Sequence, residues 1–506
     1  MINETACKPK TSNAKAKDTS RNMDYTYNRI SFFMNGKAVS ADLPPAISTL
    51  DYLNKSCGLY GTKCSCNEGD CGACTVVIAY VREGAVMYEA INSCLYPAAK
   101  LHGKHLLTIE ALGSPDQLHP IQEAMLRHHS TQCGYCSPGF VMSAFALFAM
   151  KQKPDREEIL AALEGNLCRC TGYDSILNAM EELSRTQNPE TIVPTWARAL
   201  EPELFRFKTP VLCFNQQSSS LHSSGAYHLP SSLEEAFSLL EEHPEARIIN
   251  GGTDIMVQVN ISRLKIPVLI DISGIDSLRQ ISLNKDGVRI GAAVTYSDLE
   301  RSGIVKTDLP WLLELTKVLA SRQIRNFGTL SGNIANASPI GDSLPLLLVL
   351  NASLILSSKA SQRQIPLKDF FLSYKKTALA AGELITEIVI PIPPQGAYIK
   401  FIKAAKRKAV DISAIASAIC LETDPQGLIK TARLALGGAA EIPKLSSGFS
   451  SILGIKPEDI NAEELANLLA SEFQPISDVR GSAAYRQTLI KNQILKYLDE
   501  VSRRQP

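Results

Sequence analysis

The sequence predicts a multidomain α+β protein, and three observations carry that expectation. At roughly 100–200 residues per domain, 506 residues imply three or four separate cores. Residues 28–105 read as short strands, and 106–185 read as helices. Beyond 227, strand-like and helical runs alternate, the pattern of a mixed α+β region.

Along the chain, residues 1–27 are polar, slightly basic and without an apolar run, so they read as a disordered extension and not as a signal or transit peptide. In 28–105, Ile30–Phe33 leads into an Asn35-Gly36 turn, Thr75–Val81 is β-rich, and Val86–Ala90 follows a Glu83-Gly84 turn. In 106–185, Pro120 stands at a first helical position, and Asp155 with Glu158 forms a capping box before Ile159, Leu160 and Leu163. The stretch 186–226 holds Pro189, Pro194, Pro202 and Pro210 and then Gln216-Gln217-Ser218-Ser219-Ser220. It has no periodicity and reads as a linker. The remainder divides near Pro391–Pro394 into lobes 227–395 and 396–506.

Lys plus Arg is 52 and Asp plus Glu is 51, a net charge of +1, so neither a nucleic acid nor an anionic membrane surface is an expected partner. The apolar stretches Phe140–Met150 and Leu344–Leu356 fall short of the ~18 residues that span a bilayer and read as core. His119, beside Pro120, and the pair His128-His129 read as surface residues, and no histidine stands in a metal-binding spacing.

The 13 cysteines are unevenly spread, and clustering with an odd total argues against a disulfide framework and for chemistry in a reducing cytoplasm. Cys66, Cys71 and Cys74 form a C-x4-C-x2-C run with Cys94 after a hairpin-sized gap, the plant-type 2Fe–2S spacing. Glycines in the run let backbone N–H groups turn toward the sulfurs and tune the cluster. Zinc sites favour paired C-x2-C knuckles and fit this spacing poorly. Cys133 and Cys136 form a C-x2-C, and Cys168 and Cys170 a C-x-C, in the helical region; a second cluster and zinc are both readings of these four. Cys7, Cys57, Cys64, Cys213 and Cys420 are left as ordinary thiols, with Cys64 a rival ligand.

Three further stretches carry a resemblance. Gln132-Cys133-Gly134-Tyr135-Cys136-Ser137-Pro138-Gly139, Gly165-Asn166-Leu167-Cys168-Arg169-Cys170-Thr171-Gly172-Tyr173 and the loop from Cys66 to Val76 resemble the signatures of the molybdenum hydroxylase family, which includes xanthine dehydrogenases and aldehyde oxidases. The resemblance implies two 2Fe–2S clusters, one in a β-grasp ferredoxin-like domain and one in a helical bundle. Asp70 stands where the family usually has a second glycine, a departure beside the first cluster.

No G-x-G-x-x-G or G-x4-G-K-[ST] is present, but two glycine-bearing segments are candidate phosphate sites. Ile248, Ile249, Asn250, Gly251, Gly252, Thr253, Asp254 and Ile255 leave a strand and turn sharply, so successive N–H groups could nest a pyrophosphate or simply close a turn. The second runs from Thr329 through Gly332 and Asn333 to Asp342. Both resemble the family's vanillyl-alcohol-oxidase-like (PCMH-type) FAD domain. The resemblance implies that Ile248–Ile255 hold the FAD pyrophosphate, supported by Thr329, Asn333 and Asp342, with Lys403, Ile385 and Leu319 contacting the cofactor. Leu319 lies near where close relatives stack an aromatic residue. Leu436-Gly437-Gly438-Ala439 and Ser482–Arg486 resemble the family's C-terminal flavoprotein lobe more loosely.

No hydroxylation site is visible, since family members hydroxylate at a molybdopterin domain that follows the flavin lobe. The resemblance therefore implies an electron-transfer subunit whose obligate partner is a molybdopterin-binding large subunit, assembled as a dimer of heterodimers. The expected reaction is xanthine, NAD⁺ and water to urate and NADH, with electrons passing through two clusters to FAD. An aldehyde, nicotinate or another N-heterocycle as substrate is the nearest alternative, and a zinc-bearing scaffold is the alternative of a different class.

Overall fold

The computed structural model describes residues 29–206, 212–215 and 226–503. The 1–27 extension and the run Gln216–Ser220 lie outside them. The chain forms two compact units from interleaved segments: Met1–Ser231, Glu245–Ile272 and Ser321–Asn326 in the first, Ser232–Pro244, Ser273–Ala320 and Phe327–Pro506 in the second.

In the first unit a mixed sheet runs in the order Lys37–Asp42, Arg29–Met34, His105–Leu107, Thr75–Arg82, Ala85–Asn92. Arg29–Met34 pairs in parallel with His105–Leu107, and its hairpin turns on Asn35 (φ 50°) and Gly36 (φ 83°), the left-handed pair a tight hairpin needs. The helix Ser137–Met150 is apolar nearly all round and accordingly buried. Phe140, Val141 and Phe145 share one core with Val77, Ala79 and Tyr88 of the sheet and with Ile159, Ile176 and Met180 of neighbouring helices. Asp155 and Glu158 close the anticipated capping box, each side chain accepting the other's backbone N–H at 2.9 and 3.0 Å.

Two expectations change here. The stretch 186–226 contains the helices Thr195–Arg198 and Glu201–Arg206 and the strand Leu212–Asn215, which pairs antiparallel with Ala226–Leu229. Ile192, Val193, Ala197 and Leu204 are buried in the core just described. Elements of one or two turns bury one residue each, too few to register as periodicity. His119 is buried, not at the surface: its Nδ1 accepts the Ile121 N–H at 3.3 Å, capping the helix Pro120–Arg127, and its Nε2 lies 2.8 Å from the Ile192 carbonyl.

The first unit also holds a second sheet, in the order Leu212–Asn215, Ala226–Leu229, Val268–Asp271, Arg247–Ile249, its last three strands parallel. A buried ion pair fastens this sheet to the segment after Cys94. Lys100 Nζ lies 2.9 Å from Asp271 Oδ2 and donates to the Asn250 carbonyl at 2.7 Å.

In the second unit a five-stranded antiparallel sheet (Ile281–Asn284, Gly287–Gly291, Leu384–Ile390, Ser353–Ser357, Gln362–Pro366) accompanies a four-stranded one (Tyr398–Ala404, Ile415–Thr423, Ile429–Gly437, Lys444–Leu445). The expected lobes on either side of Pro391–Pro394 share a core built around the helix Ser343–Val349. Strand Ile415–Thr423 shows period-two burial on both faces: Ala418 and Cys420 enter that shared core, while Ile419 and Leu421 face a second core with helices Ala462–Ser471 and Ala483–Ser502. Arg486, 2% exposed, donates to the Gly438 carbonyl and to Asp478, joining the two stretches that resemble the C-terminal flavoprotein lobe. Among the described residues no helix is long and apolar enough to cross a membrane.

Candidate functional site

The first cysteine group sits on the loop before Thr75–Arg82 and on the turn after Ala85–Asn92. Asn67 (φ 61°), Gly69 (φ 89°) and Gly72 (φ 66°) take left-handed backbone, which curls the loop back on itself. A Cβ on Gly69 would stand 2.6 Å from Leu95 Cδ1, so the loop also closes against its neighbour. The Glu68 N–H points at Cys66 Sγ at 3.5 Å, and backbone N–H groups of Ala73 and Gly69 reach Cys71 and Cys94. Such bonds favour the more negative, reduced form of a cluster.

The four thiols stand as two pairs. Cys74 Sγ lies 3.3 Å from Cys94 Sγ, both buried, and Cys66 bonds Cys71. Accepting from Cys66 is the foremost reason the Cys71 thiol is lowered, while donating holds Cys66 high.

The second group repeats the arrangement. Cys170 Sγ lies 3.7 Å from Cys133 Sγ, and Cys136 bonds Cys168. Burial and the bond to Cys168 push Cys136 up to about 12. Burial raises Cys168, but the Thr171 hydroxyl, at 3.1 Å, and the N–H groups of Thr171 and Cys170 outweigh it and leave the thiol lowered.

Two thiolates on each of two irons is the ligand set of a 2Fe–2S cluster, whereas a structural zinc draws four ligands to one point. The paired donors therefore fit clusters better than zinc. The rival Cys64 is exposed; its carbonyl, not its sulfur, is engaged, accepting from the Tyr135 hydroxyl.

The glycine turn lies in the first unit. Strand Arg247–Ile249 feeds it, Gly252 (φ 86°) provides its left-handed step, and the helix Ile255–Ile261 follows. A Cβ at Gly252 would meet Ile249 Cδ1 at 3.0 Å, so the turn is tight as well as left-handed. Backbone N–H groups at such a turn fit an anionic phosphate.

Leu319, Thr329, Asn333, Asp342, Ile385 and Lys403 all lie in the second unit. Thr329 caps the helix Leu330–Asn336, its Oγ1 accepting the Gly332 N–H at 3.1 Å. Asn333 Oδ1 accepts from Ser343 at 2.6 Å. Lys403 Nζ donates to Asp342 at 2.7 Å and to the Val318 carbonyl, next to Leu319, at 2.9 Å. Leu319 and Ile385 belong to the shared apolar core. A buried ammonium held at a fixed point by Asp342 and the Val318 carbonyl is chemistry that suits a flavin.

Sequence reasoning assigned no role to four residues that hold these parts. Ser413 donates to the second oxygen of Asp342, and Lys100 fixes the Asn250 carbonyl. Asn260, on the helix after the glycine turn, donates to the carbonyls of Cys94 at 2.8 Å and Asn67 at 3.1 Å, and Asn166 bridges the two cysteine groups. Each of these contacts spans at least 71 positions, so no local pattern marks it.

Comparison with known proteins identifies the domains. Four family models match in succession: a 2Fe-2S iron-sulfur cluster binding domain at 32–99, a [2Fe-2S] binding domain at 108–181, the FAD binding domain in molybdopterin dehydrogenase at 219–393, and the CO dehydrogenase flavoprotein C-terminal domain at 400–501. Xanthine dehydrogenase/oxidase of Mus musculus is 31% identical over 93% of this chain and 39% of its own length. The chain thus spans about two fifths of the curated relatives it matches. Among solved structures, reconstituted CO dehydrogenase from Oligotropha carboxidovorans aligns with TM-score 0.53 and 28% identity, covering 56% of this chain and 100% of that one. Quinoline 2-oxidoreductase from Pseudomonas putida 86 gives 0.51 and 27%, covering 56% and 98%. With two 2Fe–2S domains, an FAD domain and a flavoprotein C-terminal domain in series, the chain belongs to the molybdenum hydroxylase family as an iron–sulfur and FAD chain.

Proposed function

We propose that this chain is the electron-transfer subunit of a xanthine dehydrogenase. It takes electrons from a molybdopterin-binding partner subunit, in a dimer of heterodimers in the cytoplasm, and delivers them to NAD⁺. The net reaction is xanthine, NAD⁺ and water to urate, NADH and a proton. When bound, the clusters pass single electrons and FAD collects two for release as a hydride. The observation that carries the reading is the division of eight cysteines into two groups of two pairs, beside domains of the FAD type.

The proposal gives each residue a role that its surroundings support. Cys66, Cys71, Cys74 and Cys94 hold one cluster, and Cys133, Cys136, Cys168 and Cys170 the other. In the first unit, the turn Ile248–Ile255 offers backbone N–H groups to the FAD pyrophosphate. In the second, Lys403 presents its ammonium to the cofactor, aimed by Asp342 and the Val318 carbonyl. Thr329 and Asn333 order the helix start, and Leu319 and Ile385 supply apolar walls that exclude water.

Similarity to the mammalian and yeast xanthine dehydrogenases over more than nine tenths of this chain favours xanthine. A partner subunit is supported by the solved chains, which are covered almost whole by about half of this one. A second reading, the same relay serving an aldehyde, nicotinate, quinoline-type heterocycle or CO, draws on the likeness to quinoline 2-oxidoreductase and CO dehydrogenase. The test is xanthine-dependent NAD⁺ reduction by the purified native complex. Turnover with xanthine supports the proposal; inactivity with xanthine and turnover with an aldehyde or heterocycle transfers it to the second reading.

A further inference from the structure

Asn166 stands two residues before Cys168 and is 3% exposed. Its Nδ2 donates to the carbonyl of Gly72, inside the first cysteine loop, at 3.0 Å and to Thr75 Oγ1 at 3.3 Å. Its Oδ1 accepts from Ser143 Oγ at 2.6 Å and from Gln323 Nε2 at 2.9 Å. Both donors and both lone pairs of the amide are thereby used. The next residue, Leu167, donates its N–H to the Cys71 carbonyl at 2.9 Å.

Three glycines let the backbones meet. A Cβ on Gly72 would stand 2.3 Å from the Gly165 oxygen, and one on Gly139 would stand 2.3 Å from the Gly72 oxygen. A single hydrogen bond therefore separates the backbone of Cys71, in the first group, from Leu167-Cys168 in the second.

We propose that Asn166 is the positioning residue that fixes the separation and orientation of the two cysteine groups, and so sets the rate of electron exchange between their clusters. The inference rests on the two-cluster reading above. Each exchange oxidises one cluster by one electron and reduces the other by one, with no proton moved and no bond broken. Replacing the Nδ2 donor sets an oxygen or a methyl group against the Gly72 carbonyl, which keeps its own loop's donors, the Thr75 N–H at 3.0 Å and hydroxyl at 2.7 Å, but loses the one that ties it to the second group. The loops separate as a result. Gln323 braces Asn166 from the far side, packing on Gly165 and donating to Ser143 Oγ at 2.8 Å as well as to Asn166.

The experiment uses the native complex with Asn166→Asp and, separately, Gln323→Leu. Iron content is measured first, then the low-temperature EPR splitting between the two clusters in dithionite-reduced protein, then electron redistribution after pulse radiolysis. The expected result is full iron content, altered splitting in both variants, and exchange slowed by about tenfold in Asn166→Asp. Full iron with unchanged splitting, and exchange within about twofold of wild type, overturns the proposal. If Asn166→Asp fails to hold iron, the splitting in Gln323→Leu decides alone, change supporting and constancy overturning it. Absence of two 2Fe–2S signals in the wild type removes the two-cluster reading itself and is seen before any variant is compared.

Discussion

Lys403 holds its ammonium 2.7 Å from the Asp342 carboxylate with the lysine side chain only 4% exposed. Two long-range strand and helix ends are thereby joined at one charge pair, with Ser413 on the other carboxylate oxygen. Removing one member of a buried pair strands the other charge, a loss of about 3–5 kcal/mol. Lys403→Met is expected to lower stability by that order in urea titration and to purify with markedly less FAD. A variant with unchanged FAD content would show that Lys403 serves only the fold.

Lys100 and Asp271 form the equivalent pair in the first unit, at 6% and 0% side-chain exposure, with the Tyr227 hydroxyl also on Asp271. Lys100→Met is expected to cost about 3–5 kcal/mol, and adding Asp271→Asn to recover most of that loss, because no uncompensated charge then remains. Urea midpoints of the single and double variants measure it. Strict additivity of the two substitutions would contradict the coupling.

The pairing of the sulfurs predicts how iron is lost. Cys74→Ser or Cys94→Ser is expected to remove about two of four irons, and Cys168→Ser the other two, each leaving the remaining EPR signal in place. Cys64→Ser is expected to keep all four, since its sulfur stands outside both sets of pairs. Iron assay with EPR separates these outcomes. Loss of iron in Cys64→Ser would make it a ligand.

Acid is expected to destabilise the first sheet. Burial holds His105 near 4, and burial with the Lys104 charge holds His102 near 4, against an ordinary 6.5. A ring nitrogen of each accepts a backbone N–H, from Gly36 at 3.2 Å and Ser31 at 3.1 Å, which protonation would block. Both are depressed in the folded state, so the unfolded chain binds more protons between pH 4 and 6.5. Their stabilising contribution is complete above 6.5 and is lost as pH falls toward 4. Urea midpoints from pH 7.5 to 5 are expected to fall by an amount equivalent to roughly 1–3 kcal/mol, and His105→Gln to flatten the slope. A parallel slope in that variant would assign the effect elsewhere.

What was legible in the sequence was local or chemical. The Asn35-Gly36 hairpin and the Asp155–Glu158 capping box use contacts within a few residues, and the spacing of Cys66, Cys71 and Cys74 places three thiols on one loop. The pairing of Cys133 with Cys170 and of Cys136 with Cys168 was not legible, because it depends on how a loop and a helix start approach each other. Lys100 on Asp271 and Asn166 on Gly72 are tertiary contacts between ordinary-looking residues. In the sequence Ile192, Ala197 and Leu204 read as linker because helices of one or two turns leave no periodic trace, and His119 reads as surface because a helix cap can be buried as readily as exposed.

The most direct test of the whole account is metal and flavin analysis of the purified complex, read per copy of this chain with an EPR spectrum of the reduced protein. About four irons, one FAD and two distinct 2Fe–2S signals are expected. Zinc in place of iron, or iron without flavin, would contradict it.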